Sequence, residues 1–201
     1  PLPGTRFTSR FFTAPISDLA VKVEKVNQMA HYCLMCGTEL ETIWNERERE
    51  SCPHCGWLYY PQLKLSAAGM IVRNDSLLLV RRAFEPWKDN WYLPAGYVEE
   101  DEDPHEAARR EVLEETGLIV QVGRLLGGYY FDDDPRGNGF LLIYECRIRS
   151  GDLILTPETN EAGYFSREQL PHPLAGAGHE EAILDWKSGL MQISGATIDE
   201  P

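Results

Sequence analysis

The sequence lacks a long apolar run, an excess of basic residues and an even number of cysteines. No stretch approaches the roughly 20 consecutive apolar residues that cross a bilayer as a helix, so we expect no membrane span. The formal net charge is −13, from 19 Lys and Arg against 32 Asp and Glu. Binding along a phosphate backbone needs Lys and Arg, so this balance argues against a sequence-independent nucleic-acid binder.

Cysteine is scarce, and its number is odd. The chain has five: Cys33, Cys36, Cys52, Cys55 and Cys146. An odd number, in a chain without a clear secretory signal, argues against a disulfide framework.

The first four cysteines form two C-x-x-C-G pairs that are separated by 15 residues. This spacing is typical of four-cysteine zinc sites. Gly37 and Gly56 can take the positive φ that a tight knuckle needs. A redox pair and simple buried thiols are the alternatives. We predict that the four cysteines hold a structural Zn²⁺, because a closed four-thiolate site leaves no open position for water.

Apolar patterning predicts the elements after residue 60. An Asn-Asp turn joins two apolar runs, which indicates a hairpin over 65–82. Asp103 as N-cap, Pro104 at the first helical position and Gly117 as the stop predict a helix over about 104–116. Further predictions are strands at 118–131 and 139–149, a short strand and turn at 162–171, and a helix at 178–191. Because no regular βαβ repeat is visible, we expect an α/β fold with a mixed sheet between helices.

An acidic segment, Gly96–Leu118, holds nine Asp and Glu against two Arg. At about 100° per residue, Glu111, Glu114 and Glu115 share one face of the predicted helix. Like charges at this spacing destabilise a helix, whereas clustered carboxylates suit Mg²⁺ or Mn²⁺. The alternative is a solvated acidic face, which is the commoner meaning of a charge run.

The spacing within this segment resembles the signature of the Nudix hydrolases, G-x5-E-x7-R-E-U-x-E-E-x-G-U, where U is aliphatic. Every specified position matches, from Gly96 through Glu102 and Arg110 to Gly117. The preceding "NWYLPAGYVEE" also resembles the family. Ala95 is a departure, since many members carry a second glycine there.

The resemblance implies a Nudix-type α/β/α sandwich with a mixed sheet, preceded here by a small zinc ribbon. It also implies Mg²⁺- or Mn²⁺-dependent hydrolysis of a nucleoside diphosphate linked to another moiety. Carried over by position, Glu111 and Glu115 would be metal ligands and Glu114 a further or bridging ligand. The carbonyl of Ala95 would also face the metal.

Other positions take supporting or substrate roles under the same resemblance. Glu102 and Arg110 would pair and hold the loop to the helix, with Gly96 and Gly117 as structural positions. A later glutamate can serve as general base, and we favour Glu161 over Glu158.

Aromatic and basic side chains near the signature are candidates for substrate binding. The candidates are Arg81, Trp91, Tyr97 and Tyr129, with Trp87 and Tyr130 as further aromatics, and they could stack a base or clamp a phosphate. For Trp91 and Tyr129, a place in the core is an equal alternative. Arg81 and Arg82 are strand neighbours that point to opposite faces, so only one of them can serve.

The choice of substrate rests on resemblance alone. A zinc ribbon directly before a Nudix domain resembles the NADH pyrophosphatases, but their S-Q-P-W-P-F-P-x-S stretch is replaced here by "LLGGYYFDDDPRGNGF". The layout also resembles FAD and ADP-ribose pyrophosphatases. We therefore expect ADP-ribose or an FAD-type dinucleotide, with NADH as the alternative. A hypothesis of another class is a nucleotide-sensing regulator whose ribbon binds nucleic acid or protein.

These interpretations divide the chain into an N-terminal extension or arm (1–30), a zinc ribbon (31–60) and a Nudix hydrolase domain (61–201). The partner we expect is a small nucleotide, with a homodimer as a compatible third hypothesis. We expect a cytoplasmic protein. Residues 1–17 carry Arg6 and Arg10 without an acid, which also resembles an organellar transit peptide.

Overall fold

Two sheets and two helices are present in residues 32–191, the part of the chain that the computed structural model describes. The expected arm at 1–30 lies outside the described residues. The elements are β1 (Glu41–Asn45), β2 (Arg47–Ser51), β3 (Lys64–Arg73), β4 (Ser76–Arg82), β5 (Trp91–Tyr92), β6 (Ala95–Tyr97), α1 (Pro104–Thr116), β7 (Ile119–Phe131), β8 (Gly139–Ser150), β9 (Thr159–Ser166) and α2 (His179–Ser188).

The smaller sheet is the antiparallel hairpin β1–β2, which lies between the two cysteine pairs. Its register pairs Glu41 with Ser51 and Asn45 with Arg47 across a tight turn at Glu46. The hairpin therefore brings the residues that flank it, and with them the two cysteine pairs, to one end of the ribbon.

The larger sheet has seven strands in the order β5-β4-β3-β8-β7, with β6 paired to β3 and β9 paired to β4. Strand β3 runs parallel to β8 and antiparallel to β4 and β6, so the sheet is mixed. The predicted hairpin is confirmed: Asn74 and Asp75 adopt φ of 49° and 55° at the turn, and Val72 pairs with Leu77. Positive φ at both central residues matches the twist of a tight hairpin.

Each face of this sheet is covered by one helix and has its own apolar core. Side chains alternate along a strand, so neighbours such as Met70 and Ile71 enter different cores. Ile71 packs with Val112 of α1, whereas Met70 packs with Ile183 and Trp186 of α2. This arrangement confirms the predicted α/β/α fold.

Helix α1 has the termini that its sequence predicts. The Asp103 carboxylate accepts hydrogen bonds from the backbone N–H groups of His105 and Glu106, at 2.9 and 3.0 Å. Gly117 ends the helix in the left-handed conformation, with φ of 73°. Both ends of the acidic face are therefore fixed by local chemistry.

Two elements differ from their predicted bounds. Strand β9 begins at Thr159 and ends at Ser166, and α2 is shorter than its apolar pattern, because Gly189 caps it at φ 81°. Strands β5 and β6 were not predicted, since elements of two and three residues are too short to show a period. Within residues 32–191, neither helix has the length and apolar character of a membrane span.

The cap of α1 gives a first prediction. Replacing Asp103 with Ala should lower the free energy of unfolding by about 1 kcal/mol, because two backbone N–H groups lose their acceptor. Urea unfolding would measure this. Asp101→Ala is the matched control, since Asp101 is exposed in the preceding turn. Equal losses in the two variants would contradict the capping role.

Candidate active site

A cleft of about 250 Å³ opens between the signature segment, the β7–β8 loop and the start of α2. One wall is acidic and is formed by Glu111, Glu114, Glu115 and Glu158. The rest of the lining, called the donor wall here, includes cationic, aromatic and imidazole groups: Arg82, Trp87, Tyr97, Arg136 and His179. The cleft therefore combines hard oxygen ligands with hydrogen-bond donors in one concave site.

Glu115 is the most deeply placed acid of this wall, with 2% of its surface exposed. The Tyr92 hydroxyl donates to Glu115 Oε1 at 2.6 Å, and the Ala95 backbone N–H donates to Oε2 at 3.0 Å. Burial is the largest cause that raises the pKa of Glu115 to about 8, and these two hydrogen bonds act against it. Each oxygen keeps a further lone pair for a cation.

Glu111 lies directly against the backbone of Gly96. A Cβ atom at position 96 would overlap the Glu111 carboxylate, so any side chain there would force that carboxylate to move. Burial raises the pKa of Glu111, and the Arg110 guanidinium beside it acts in the opposite direction. The close approach of β6 to α1 thus depends on the absence of a side chain at Gly96.

Arg110 joins the loop, the strand and the helix. Its guanidinium donates to both oxygens of Glu102, at 2.5 and 3.1 Å, and to the Tyr97 carbonyl at 3.0 Å. Nη1 also donates to Glu111 at 2.5 Å and to Glu114 at 3.1 Å. The hydrogen bond from Arg110 lowers the pKa of Glu102. One cation thus spaces two acids of the wall and anchors the loop before α1.

The donor wall is built on a buried ion pair. The guanidinium of Arg136 holds the Asp134 carboxylate in a fork, with Nε and Nη2 at 3.0 and 2.7 Å from its two oxygens. Only 1% of Asp134 is exposed. The same guanidinium lies over the Tyr97 ring, 5.3 Å from its centroid. His179 is neutral here, since burial lowers its pKa to about 3.

Of the four main candidates for substrate binding, the structure brings Tyr97 into the cleft lining and leaves three outside it. Trp91 is buried and packs edge-on against Phe165, at 4.8 Å between centroids, so it is a core residue. The Tyr129 hydroxyl donates to Asp185 of α2 at 2.9 Å, which fixes it against the other helix. For both residues, apolar packing prevails over ligand stacking.

Arg81 is the third of these corrections. It lies 3.7 Å from Asp89 and 3.6 Å from Glu161, whereas its neighbour Arg82 lines the cleft. The register of β4 against β9 shifts between Arg81 and Arg82, which is a β-bulge. Adjacent strand residues point to opposite faces, so only one arginine can enter the site.

The structure also argues against the preference for Glu161 over Glu158 as general base. Glu158 lines the cleft, while Glu161 lies on β9 beside Arg81 and outside the cleft lining. Glu158 precedes the bulge and lines the cleft together with Glu111, Glu114 and Glu115. Its charge contributes, as the smallest of the causes, to the raised pKa values of Glu111 and Glu115.

Several cleft residues were missed by the sequence reasoning. Asp134 and Arg136 lie in "DDDPRGN", whose composition indicated only a polar turn. His179 begins α2, and its pattern gave no signal beyond an amphipathic helix. Trp87, by contrast, was named among the further aromatic candidates, and it reaches the cleft through a loop turn with φ of 59°.

The four cysteines of the ribbon come together as their spacing predicts. The Sγ atoms of Cys33 and Cys55 are 3.6 Å apart, and those of Cys36 and Cys52 are 3.5 Å apart. Four thiolates bound at about 2.3 Å around one tetrahedral ion stand about 3.8 Å apart, so the geometry fits zinc. The four sulfur atoms all lie within 4.8 Å of one another, and they are the one such group of potential metal ligands found within residues 32–191.

The turns of the ribbon support this geometry. Gly37 and Gly56 adopt φ of 72° and 76°, as expected for knuckle turns. The backbone N–H of Met35 donates to the Cys33 sulfur, and that of Cys55 donates to the Cys52 sulfur, each at 3.4 Å. Cys146 lies apart from this group, buried in the core beneath α1.

Comparison with known proteins gives one consistent family. A family model described as NUDIX domain matches residues 63–186. An ADP-ribose pyrophosphatase of Methanocaldococcus jannaschii is 38% identical over 125 residues, which cover 60% of this chain and 73% of that protein. The NAD-capped RNA hydrolase NudC of Deinococcus radiodurans is 28% identical over 185 residues, which cover 90% of this chain and 64% of that protein.

A solved structure gives the same fold. The crystal structure of a NUDIX hydrolase from Nitrosomonas europaea superposes with a TM-score of 0.70 at 24% identity. The match covers 79% of this chain and 91% of that chain. At this identity the likeness shows the fold alone.

The burial of Glu115 gives a pH prediction for the metal-free protein. Its pKa is raised from 4.5 to about 8, so between these values the native state binds more protons than the unfolded state. Stability should therefore fall as pH rises through this range. Urea unfolding in EDTA at pH 5 and pH 8 would measure the decline, which Glu115→Gln should reduce. A variant whose decline equals that of the wild type would show that Glu115 is not its source.

Proposed function

The chain belongs to the Nudix hydrolase family, and on this premise we propose that it is a divalent-metal-dependent pyrophosphohydrolase. Its substrate is a nucleoside diphosphate linked to another moiety. The observation that carries the proposal is that Glu111, Glu114 and Glu115 line one cleft together with a set of hydrogen-bond donors. A diphosphate needs both features, because its charge must be neutralised and its oxygens oriented.

The residues present fit Mg²⁺ or Mn²⁺, which prefer hard oxygen ligands. Glu111, Glu114 and Glu115 would hold the ion, together with the carbonyl of Ala95 at the rim of the cleft. The ion, when bound, neutralises the diphosphate and lowers the pKa of the attacking water. In the structure, Arg110 and Tyr92 already fix the carboxylate positions, so the chain itself orients the ligand set.

We propose Glu158 as the general base, in place of Glu161. A base must lie within hydrogen-bond reach of the proton that it accepts, directly or through one water. Glu158 shares the cleft with the acidic wall, whereas Glu161 is beside Arg81 outside it. The backbone N–H of Ala83 donates to the Glu158 carbonyl at 2.9 Å, which anchors this residue to the end of β4.

ADP-ribose is the first substrate to test, with FAD and NADH after it. The support is the relative at 38% identity, whose name is ADP-ribose pyrophosphatase. The relatives named NAD-capped RNA hydrolase share the same reaction class, but this chain spans about half to two thirds of their length. An NAD-capped RNA is therefore a second substrate class for the same panel. The homodimer and the cytoplasmic location stay predictions.

The regulator hypothesis has weaker support. The segment between the cysteine pairs, 37–51, carries two Arg against five Glu, which makes it a poor phosphate binder. The acidic wall is also complete, as hydrolysis requires. Mg²⁺-dependent product release, set against salt-dependent DNA binding, separates the two hypotheses.

The activity test uses ADP-ribose, FAD, NADH, an NAD-capped RNA and nucleoside triphosphates, each with Mg²⁺ or Mn²⁺. We expect release of AMP from ADP-ribose and a loss of about 10²-fold or more in kcat for Glu114→Gln and Glu115→Gln, since ligands for the ion are removed. Glu100→Gln, in the exposed loop before α1, is the control and should keep wild-type rates. Unchanged turnover in the two cleft variants, with their thermal unfolding also unchanged, would refute the assignment.

We further propose that residues 31–60 are a ribbon built on one structural Zn²⁺, followed by the Nudix domain at 61–201. Metal analysis of the purified protein should give about one zinc per chain, as a four-thiolate site holds one ion. Cys55→Ser should lose this zinc, and Cys146→Ala should retain it because Cys146 lies in the core beneath α1. Full zinc content in Cys55→Ser would contradict the proposed ligand set.

A further inference from the structure

Three residues with hydrogen-bond donors line the same cleft as the glutamates. They are Arg82 at the end of β4, Tyr97 at the end of β6 and Arg136 in the β7–β8 loop. Arg136 lies over the Tyr97 ring at 5.3 Å. Burial raises the pKa of Tyr97, while the charges of Arg136 and Arg82, which line the same cleft, act in the opposite direction.

The position of Arg136 is fixed before any ligand arrives. Asp134 is buried and accepts three hydrogen bonds from the Arg136 guanidinium, besides one from the Arg136 backbone N–H at 2.7 Å. A guanidinium held in a fork and stacked on an aromatic ring loses little further freedom when it binds an anion. The buried acid thus acts as a support for the arginine.

Two other donors in the donor wall have no protein partner. Within residues 32–191, neither Arg82 Nε nor the Tyr97 hydroxyl has a hydrogen-bond partner, and both atoms are shielded from solvent. Buried polar atoms are rarely left unpaired in proteins, because each loses its hydrogen bonds to water. A bound group that offers acceptor oxygens would supply what the protein does not.

The chemistry of the missing partner follows from the donors. The arginine side chain only donates hydrogen bonds, so its partner must be an acceptor. Two positively charged guanidinium groups favour an anion over a neutral carbonyl. Asp134 is already occupied by Arg136, and His179, which also lines the cleft, is neutral. A phosphate group, with several oxygens and a negative charge, fits three converging donors.

We propose that Arg82, Tyr97 and Arg136 form an anion site that binds one phosphate of the substrate without a metal ion. The acidic wall would then serve the metal-bound side of the diphosphate, and the donor wall its other side. This inference rests on the proposed function for the identity of the anion, but the binding that it describes does not depend on turnover.

The experiment is calorimetric titration of the full chain in EDTA, which prevents metal-dependent hydrolysis. The probes are AMP and adenosine, which differ by one phosphate. We expect AMP to bind, adenosine to bind at least about tenfold more weakly, and Tyr97→Phe and Arg82→Gln to weaken AMP by about tenfold each. Arg109→Gln removes the same charge from the exposed face of α1 and should bind AMP as the wild type does.

Stability measurements separate binding from folding. Tyr97→Phe removes a buried hydroxyl that has no partner, so thermal unfolding of the free protein should be unchanged or slightly raised. Arg136→Lys keeps a charge beside Asp134 but loses the fork, and should also weaken AMP binding. Reduced affinity together with an unchanged unfolding temperature assigns the effect to the ligand.

The inference is overturned if AMP fails to bind in EDTA, if adenosine binds equally well, or if the cleft variants bind AMP like the wild type. These results do not bear on hydrolysis, which is tested with Mg²⁺ and the glutamate variants. Loss of AMP binding in the cleft variants, without hydrolysis of any substrate by the wild type, would support the anion site and refute the pyrophosphohydrolase.

Discussion

The guanidinium of Arg110 is the contact on which the site depends, because like charges would otherwise separate the acidic wall. It pairs with Glu102, Glu111 and Glu114 and also holds the Tyr97 carbonyl. A single cation thus ties the loop before α1 to the helix face. Glu115 is stabilised separately, by the Tyr92 hydroxyl and the Ala95 backbone N–H. Hydrogen-bond donors thus offset the mutual repulsion of Glu111, Glu114 and Glu115.

Local rules were enough to predict α1 and the ribbon. A capping carboxylate, a proline at the first helical position and a terminal glycine specify helix ends through short-range hydrogen bonds. The cysteine spacing likewise encodes a knuckle geometry that needs no long-range information. The spacing of Glu111, Glu114 and Glu115 places them on one face of any helix. The resemblance to the Nudix signature added the prediction that this face holds a metal ion.

The donor wall could not be predicted, because it depends on contacts between distant segments. A bulge between Arg81 and Arg82 decides which arginine enters the cleft, and the pairing of β4 with β9 creates that bulge. The same register places Glu158 in the cleft and Glu161 outside it. Asp134 and Arg136 read as a polar turn because their burial arises only when the β7–β8 loop folds over Tyr97. Alternation along one strand cannot supply such information.

The two adjacent positions before the acidic loop have unequal tolerance to mutation. Ala95 already carries a Cβ atom where many family members have glycine, and its N–H still reaches Glu115. At Gly96 the same atom would occupy the space of the Glu111 carboxylate. This chain therefore accommodates a side chain at the first position, whereas at the second even a methyl group would displace the Glu111 carboxylate.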